Sequence, residues 1–452
     1  MKRQYWLALI MVLALFLRWY RLENWFHFTM DEELIAWRGW GLFNLQRPFL
    51  IGGISPLQIH LPPYFYYLSA LLLWPFMFDP LGWGVWAGLF SLVTIYVLFR
   101  YSKSLAAALF YAVSLAAVAF DRHYWPLFFN PLFTLLTLWC LKKKNYLGLI
   151  LTLTAAVTAD PSNLVLGLFV LLYQRRALKY WWLGAGLFAV PLLAFDFRHN
   201  WQNLGGISRL LENIGSNPPN WDWLLLLPQS LSRFWFTAQT NLIEYYSYCQ
   251  QYASARLAVS PWLLVAAVLM IIWAVKRREI RLLLLAYFIG LGLFGLFGFS
   301  VFDHYLTGLM PVWAIVTASA IKLLPKKVGI GVILVFVAIN LYQFSRVENH
   351  YGLKSKKELV KWANQYLAGS NWELQSESKC HRENGLRYLF ELSGNSPGRS
   401  FMDPNFSWLY PQPPNQVAAE KVLLVTDRPL VGSEVIIARK NFGAMNAYIL
   451  KP

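Results

Sequence analysis

The sequence predicts an α-helical polytopic membrane protein that carries a small C-terminal α/β domain. The chain of 452 residues is 57% hydrophobic but only 14% charged, whereas a soluble domain has roughly 25% charged residues. The apolar residues fall in blocks long enough to cross a bilayer, and short basic clusters separate these blocks. The composition turns polar only after residue 346.

The first apolar block, residues 5–22, is predicted to be an uncleaved first span. Lys2 and Arg3 precede it, and Arg18-Trp19-Tyr20-Arg21 closes it. No pair of small residues suited to signal-peptide cleavage follows the block, and a basic, aromatic end is typical of an anchor at the membrane interface.

The later blocks predict about eleven spans if block 62–79 lies on the membrane surface instead of crossing. Pro62-Pro63, several tyrosines and Asp79-Pro80 favour that assignment, because Tyr prefers the interface. The spans are 5–22, 82–99, 104–120, 126–141, 146–159, 162–173, 180–195, 260–275, 282–300, 304–321 and 328–345. Two of them, which meet at Asp160-Pro161, are short and predict a tight helical hairpin.

The basic clusters then all fall on one side of the membrane, which the positive-inside rule makes the cytoplasmic side. They begin at Lys2, Arg100, Lys142, Arg175, Lys276 and Lys322. We therefore expect a multi-pass protein of the cytoplasmic membrane with a cytoplasmic N-terminus and an extracytoplasmic C-terminus. The net charge of +17 is explained by this placement, so binding to nucleic acid is excluded.

The predicted organisation is a membrane domain, residues 1–346, followed by a soluble extracytoplasmic domain, residues 347–452. The membrane domain has outer loops at 23–81 and 197–259. The soluble domain is expected to contain an amphipathic helix at 355–368 and strands at 421–426 and 434–439. Cys249 and Cys380 both fall outside, which leaves a disulfide between them open.

Acidic residues and histidines gather at the predicted outer ends of the spans, while the inner ends carry mainly Lys and Arg. The most informative stretch follows the first span, where Thr29 precedes Asp31, Glu32 and Glu33. One interpretation is a solvated helix start, with Thr29 as N-cap and the acids complementing the helix dipole. The other is a catalytic site at the outer surface, where Asp31 and Glu32 point about 100° apart and serve different roles.

Several motifs resemble the GT-C superfamily of membrane glycosyltransferases, most closely bacterial family-39-like members related to protein O-mannosyltransferases and the lipid A aminoarabinose transferase. Asp31-Glu32 matches the family's acidic pair. The run from His60 to Leu68 is similar to its His-Pro-Pro-aromatic stretch, with Leu61 inserted. Three further segments resemble later family motifs: Asp121-Arg122 with Asn130-Pro131, the stretch 195–200, and His304-Tyr305 with Pro311.

This resemblance implies transfer of a sugar from a polyprenyl-phosphate donor to an acceptor hydroxyl, with inversion at the sugar carbon. The acceptor would be an envelope glycan, lipid or protein. Asp31 is the candidate base, and Glu32 shares the catalytic site and is a candidate ligand for a divalent metal cofactor. The residues expected to bind substrate or its phosphate are Arg122, Arg198, His199, His60, Tyr64 and His304.

Each of these residues also has a structural interpretation. Arg122 and Arg198 could anchor spans at the interface, and the histidines could cap helices or lie in loops. At the level of the whole chain, the alternatives are a transporter or lipid flippase without chemistry, and a structural envelope protein whose tail binds partners. Nearly charge-free span interiors argue against transport of a polar substrate.

Overall fold

The computed structural model describes residues 2–55, 59–213, 218–219, 221–237, 260–299, 302–377, 384–415, 417–430 and 435–452. Its first part is helical: α1 Lys2–Trp19, α2 Leu22–Trp25, α3 Met30–Asn44, α4 Tyr64–Leu73, α5 Leu81–Ser102, α6 Leu105–Val113, α7 Leu115–Phe120, α8 Asn130–Lys143, α9 Tyr146–Ala159, α10 Leu164–Tyr173, α11 Trp181–Arg198, α12 Gln202–Asn213, α13 Leu226–Trp235, α14 Pro261–Ala274, α15 Arg278–Leu296, α16 Met310–Ile321 and α17 Lys326–Arg346. Cys249 and Cys380 lie outside the described residues, as does much of the predicted loop 197–259.

The predicted helical membrane fold is confirmed, since each predicted span contains helix within the described residues. By length and composition, four helical segments there could cross a bilayer: Leu81–Ser102, Arg278–Leu296, His304–Ile321 and Lys326–Arg346. Three shorter apolar segments are Tyr146–Ala159, Pro161–Tyr173 and Pro261–Ala274. Which side each end faces stays a prediction.

Block 104–120 is not one helix, because the chain turns out of helical geometry at Ser114 (φ −53°, ψ 120°). Side-chain and backbone partners stabilise this break. The Ser114 hydroxyl donates to the Phe234 carbonyl (2.8 Å), and the Leu115 N–H donates to the Asn340 side-chain oxygen (2.8 Å). A buried N–H freed from a helix needs such a partner, so α13 and α17 permit the interruption.

Helix α4 has 10 residues and is therefore about 15 Å long, half the thickness of a bilayer core. Its length agrees with the prediction of a surface helix at 62–79. It packs closely on α3, where a Cβ at Gly39 would lie 3.2 Å from the Cα of Ala70. The predicted hairpin between α9 and α10 is also present. Its turn is held by Asp160, whose carboxylate accepts the Ser162 N–H (2.8 Å).

A buried ion pair ties the end of α1 to the end of α7. The Arg18 guanidinium lies 2.7 Å from the Asp121 carboxylate, and both side chains are almost fully buried. Asp121 also accepts hydrogen bonds from Ser91 (2.7 Å) and Tyr111 (3.1 Å). A buried charge pair is tolerated when further hydrogen bonds satisfy it, as these do.

The C-terminal part has α18 Leu353–Leu367, β1 Trp372–Ser376, α19 Leu386–Leu392, β2 Arg399–Ser400, α20 Asp403–Phe406, β3 Lys421–Thr426, β4 Ile436–Phe442 and β5 Met445–Leu450. The strands form one sheet in the order β2-β1-β3-β5-β4, parallel from β2 to β3 and antiparallel from β3 to β4. The predicted strand 421–426 coincides with β3, and the predicted strand 434–439 overlaps β4. The predicted helix 355–368 corresponds to α18.

This sheet domain is docked on the segment that follows α1. Lys356 is fully buried there, and its ammonium donates to the carbonyls of Phe28 (2.5 Å) and Asn384 (2.6 Å). The Tyr388 hydroxyl donates to the Phe78 carbonyl (2.9 Å). These contacts place the C-terminal domain against the predicted first outer loop, close to α3.

Candidate active site

The N-terminus of α3 is built as the sequence predicts. Thr29 is the N-cap residue, and the Glu32 carboxylate accepts its backbone N–H (2.9 Å) and its hydroxyl (3.1 Å). The Thr29 side chain in turn accepts the Glu32 backbone N–H, which completes a capping box and fixes the first turn of the helix. The acids of this turn are therefore held in defined directions.

The three consecutive acids face three different environments. Glu33 is buried against the C-terminal domain, Glu32 is buried beside histidines, and Asp31 is reached by solvent. Successive helical residues point about 100° apart, so one turn of helix can serve all three environments. Asp31 is thus the acid of the three that a substrate can approach.

Although solvent reaches Asp31, protein surrounds its carboxyl group closely. That desolvation, reinforced by the negative charge of Glu32, raises the pKa of Asp31 to about 6. Asp160, at the tip of the α9–α10 hairpin, raises the pKa further, while His123 lowers it. A carboxylate with a pKa close to neutral pH is suited to general base catalysis.

Glu32 lies in a buried cluster with His27 and His123, which we call the Glu32 cluster. The Glu32 carboxylate is hydrogen-bonded to the His123 ring, and the His27 ring contacts the Thr29 hydroxyl (3.0 Å). Burial alone would raise the pKa of Glu32, but His123, through its charge and hydrogen bond, lowers it to about 2. Burial and the charge of His123 lower the pKa of His27 to about 3, so its imidazole is neutral at physiological pH.

The Glu32 cluster fits a divalent cation. One ligand atom from each of the three side chains lies within 4.8 Å of the others. Two imidazoles and one carboxylate are a donor set that zinc sites use, with a further position left for water or substrate. His27 and His123 would be the partners of Glu32, the residue that the sequence singles out as a metal ligand.

Arg122 is turned away from this cluster. Its guanidinium donates to the backbone carbonyls of Arg18 (2.8 Å) and Tyr20, and it stacks over the Trp25 ring at 4.1 Å. Because Arg122 directly precedes His123, these contacts hold the turn that brings His123 to Glu32. The side chain is placed to position the site; a direct contact with substrate stays a prediction.

His304 belongs to the same region through a row of rings. The His123 ring stacks on Trp125 at 4.5 Å, and the Trp125 ring meets His304 edge-on at 5.0 Å. His304 is buried and also stacks on Phe302 at 5.1 Å. The structure therefore brings His304 near the Glu32 cluster.

His60, Arg198 and His199 gather instead at the end of α11. The backbone N–H and the ring of His60 both lie within hydrogen-bonding distance of the Asn203 side-chain oxygen (2.8 and 2.9 Å). The rings of His60 and His199 both pack on Phe195, at 5.5 and 4.0 Å. Arg198 and His199 are exposed, and among the described residues neither bonds to Asp31. Burial lowers the pKa of His60.

Arg38 lies between these two groups. It follows Asp31 by two helical turns on the same face of α3, and its guanidinium lies 5.1 Å from the centre of the Tyr66 ring and 5.2 Å from that of Trp408. The charges of Asp31 and Arg38 both act on Tyr66, and the charge of Arg38 acts on His60. Arg38 is therefore within electrostatic range of both Tyr66 and His60.

Two apolar grooves flank the α9–α10 hairpin. One, of about 360 Å³, runs between α10 and α15 and includes Pro161 and Tyr305. The other, of about 470 Å³, lies between α4 and α9 and includes Tyr64. Tyr64 also donates its hydroxyl to the Leu187 carbonyl (2.8 Å). Tyr64 therefore lies beside an apolar groove.

Similarity to known proteins is detected in the structure and not in the sequence. No family model matches the sequence, and no curated protein matches it. The crystal structure of ArnT from Cupriavidus metallidurans in the apo state is similar, with a TM-score of 0.56 and 12% identity over 99% of this chain and 98% of that chain. The structure of ArnT from the same organism bound to undecaprenyl phosphate gives a TM-score of 0.54 and 11% identity over 98% of both chains.

The chain has a GT-C-like fold. The likeness extends over nearly the whole of both chains, so it includes the C-terminal domain as well as the helices. Within this GT-C-like fold, sequence reasoning missed His27, His123, Trp125, Arg38 and Asp160 as members of the site. Two of these residues had a signal in the sequence: His27 comes two residues before the Thr29 cap, and His123 directly follows Asp121-Arg122.

Proposed function

We propose that this protein transfers a sugar from a polyprenyl-phosphate donor to an acceptor hydroxyl at the outer face of the cytoplasmic membrane, with Asp31 as the base. The observation that carries the proposal is the combination of solvent access, raised pKa and neighbouring residues at Asp31. It is the solvent-reached acid of its helical turn, its pKa is about 6, and it borders a buried cluster of histidines and Glu32. An acid that only complemented the helix dipole would not need a raised pKa or buried histidines beside it.

The proposed reaction is a single displacement. The Asp31 carboxylate takes the proton of the acceptor hydroxyl as its oxygen attacks the anomeric carbon. The bond from that carbon to the phosphate oxygen breaks, and the polyprenyl phosphate leaves with the electron pair. Because the attacking and leaving oxygens lie on opposite faces of the sugar, its configuration inverts. A phosphate is already a fair leaving group, so the reaction needs positive charge more than a general acid.

The end of α11 is the proposed place for that phosphate. Arg198 and His199 are exposed there beside His60, and a guanidinium binds phosphate oxygens in bidentate fashion. Arg38, which lies between this group and Asp31, is a second candidate. The apolar grooves beside α9 and α10 supply room for a prenyl chain, and Tyr64 would contact it. That ArnT binds undecaprenyl phosphate supports a donor of this chemical class.

A divalent cation is the proposed cofactor, held by His27, Glu32 and His123. When bound, it would supply positive charge at the first turn of α3, where Glu32 directly follows Asp31. Glu32 orients the His123 ring through its hydrogen bond, and the Thr29 hydroxyl holds the His27 ring.

The deciding experiment uses the full chain in membranes with radiolabelled polyprenyl-phosphate sugars and an envelope extract. We expect label in the extract with the native protein and none with Asp31→Asn. Glu358→Gln, which removes an exposed acid of α18, is the matched control and should keep full activity. Full transfer by Asp31→Asn would refute the base assignment. Movement of the lipid across the membrane without any transfer would favour a flippase.

A further inference from the structure

A second polar site lies at the opposite end of the helices from Asp31. Helix α8 begins seven residues after His123 and ends at Lys143, about 20 Å away along its axis. Helix α16 likewise follows His304 and ends one residue before Lys322. Lys142 and Lys322 therefore stand together at the far ends of helices whose near ends flank the candidate active site.

These two lysines line a pocket of about 400 Å³, which we call the far-end pocket. The ends of α5, α8, α10 and α16 surround it, together with the turn between α14 and α15. Its polar lining includes Lys142, Arg277, Lys322, Glu279, Tyr101 and Tyr173, together with three serines. Three cations, two tyrosine hydroxyls and three serine hydroxyls therefore meet in one concave space.

The charge of the far-end pocket is unbalanced. Its cations are Lys142, Arg277 and Lys322, and its acid is Glu279. Among the described residues, none of the three cations forms an ion pair with a carboxylate, Glu279 included. Within the described part of the chain, the Lys142 ammonium contacts the Tyr101 ring (5.1 Å) and the Tyr101 carbonyl (3.4 Å) but no carboxylate, so its charge is not neutralised there. The pocket thus carries positive charge that an anion could satisfy.

The position of the far-end pocket at the ends of the apolar helices favours a lipid ligand. It sits where apolar helices end, and Phe169, Leu138 and Ile315 form its apolar side. A bound anion would there lie level with lipid headgroups. Lys and Arg side chains next to the membrane attract anionic lipid headgroups by about 1 kcal/mol each.

We propose that the far-end pocket binds the phosphate of an anionic phospholipid headgroup. Arg277 would bind phosphate oxygens with its planar fork, Lys142 and Lys322 would supply the remaining charge, and Ser104 or Ser319 would donate hydroxyl hydrogen bonds. This lipid differs from the proposed donor in its place, since the pocket lies at the other end of the helices from Asp31. The inference stands whether or not the chain is a glycosyltransferase.

Native mass spectrometry of the purified full chain in detergent tests the proposal. The probes are dihexanoyl phosphatidylglycerol, dihexanoyl phosphatidylcholine and inorganic phosphate. We expect the anionic lipid to bind at least tenfold more tightly than the other two. The triple variant Lys142→Gln, Arg277→Gln, Lys322→Gln should lose roughly a hundredfold in affinity, and Lys322→Gln alone should lose about fivefold.

A matched triple variant separates the pocket from the general basicity of this end. Lys143→Gln, Lys144→Gln and Lys276→Gln remove the same charge from neighbouring positions that do not line the pocket, and we expect affinity to change less than threefold. An equal loss in both triple variants would overturn the proposal. So would inorganic phosphate binding as tightly as the anionic lipid, because the site would then be one for a soluble anion. If the pocket triple variant does not fold, Lys322→Gln alone decides. A loss of about fivefold in affinity supports the proposal, and unchanged affinity overturns it.

Discussion

The carboxylate of Glu33 accepts a hydrogen bond of 2.7 Å from the backbone N–H of Gly385, which lies 352 residues further along the chain. It also accepts the N–H of Tyr388 (3.1 Å). Both N–H groups belong to the start of α19 in the C-terminal domain. The residue two positions after the proposed base is therefore one of the anchors of that domain, and it couples the direction of α3 to the docking.

Replacing Glu33 by Ala should loosen this docking. Two buried N–H groups would lose their acceptor, at a cost of about 1–3 kcal/mol each. We expect a lower midpoint of thermal unfolding, faster proteolysis within residues 347–352, and slower sugar transfer. Glu358→Ala removes an exposed acid from the same domain and should leave all three unchanged. Unaltered proteolysis and thermal stability in Glu33→Ala would contradict the anchoring role.

The rate of transfer should follow the ionisation of Asp31. A base acts as the carboxylate, so with a pKa of about 6 the activity should be near its plateau at pH 7.5 and about tenfold lower at pH 5. The measurement is kcat/KM against pH. Because the charge of Glu32 raises the pKa of Asp31, Glu32→Gln should move the midpoint to lower pH. A flat profile from pH 5 to 8 would rule out this assignment.

The Glu32 cluster should hold one divalent ion per chain. Elemental analysis of the protein after incubation with zinc and removal of the excess measures this directly, without reference to activity. His27→Ala and His123→Ala each remove a ligand and should abolish binding. His304→Ala is the matched control, because its ring lies beyond Trp125 and should not affect metal content. Native protein without metal, or equal loss in the control, would contradict the site.

Removing one partner of the buried pair should destabilise the fold more than removing both. Asp121→Asn leaves the Arg18 charge buried without its counterion and should lower the free energy of unfolding by about 3–5 kcal/mol. Arg18→Met with Asp121→Leu should recover most of that loss. Unfolding in detergent, followed by circular dichroism, makes the comparison. If the double variant is less stable than the single one, the pair itself stabilises the protein.

The sequence predicted most of the apolar helical segments because apolar length is a local property; how many of them span the membrane stays a prediction. Thr29 as a cap and the turn at Asp160-Pro161 were predictable for the same reason. The break at Ser114 was not, since it depends on Asn340 accepting an N–H from a helix more than two hundred residues away. Apolar composition is the same on either side of such a break.

The candidate site was predictable in part. Asp31 and Glu32 follow directly from the motif after the first span, but 91 residues separate Glu32 from His123, and no local pattern links them. Arg122 is predicted to bind phosphate; its guanidinium donates to the backbone carbonyls of Arg18 and Tyr20, and a contact with substrate stays a prediction. A sequence shows which side chains are ionisable; it does not show which of them the fold satisfies internally.

The pairing of Arg18 with Asp121 also sets an order of events during synthesis. Arg18 is made 103 residues before its counterion, which at about 5–20 residues per second amounts to roughly 5–20 seconds. During that interval the charged end of α1 must remain in contact with water or with the insertion machinery. Helix α1 can settle against its neighbours only after the polypeptide has grown through α7, so the first helix to emerge is among the later ones to be locked in place.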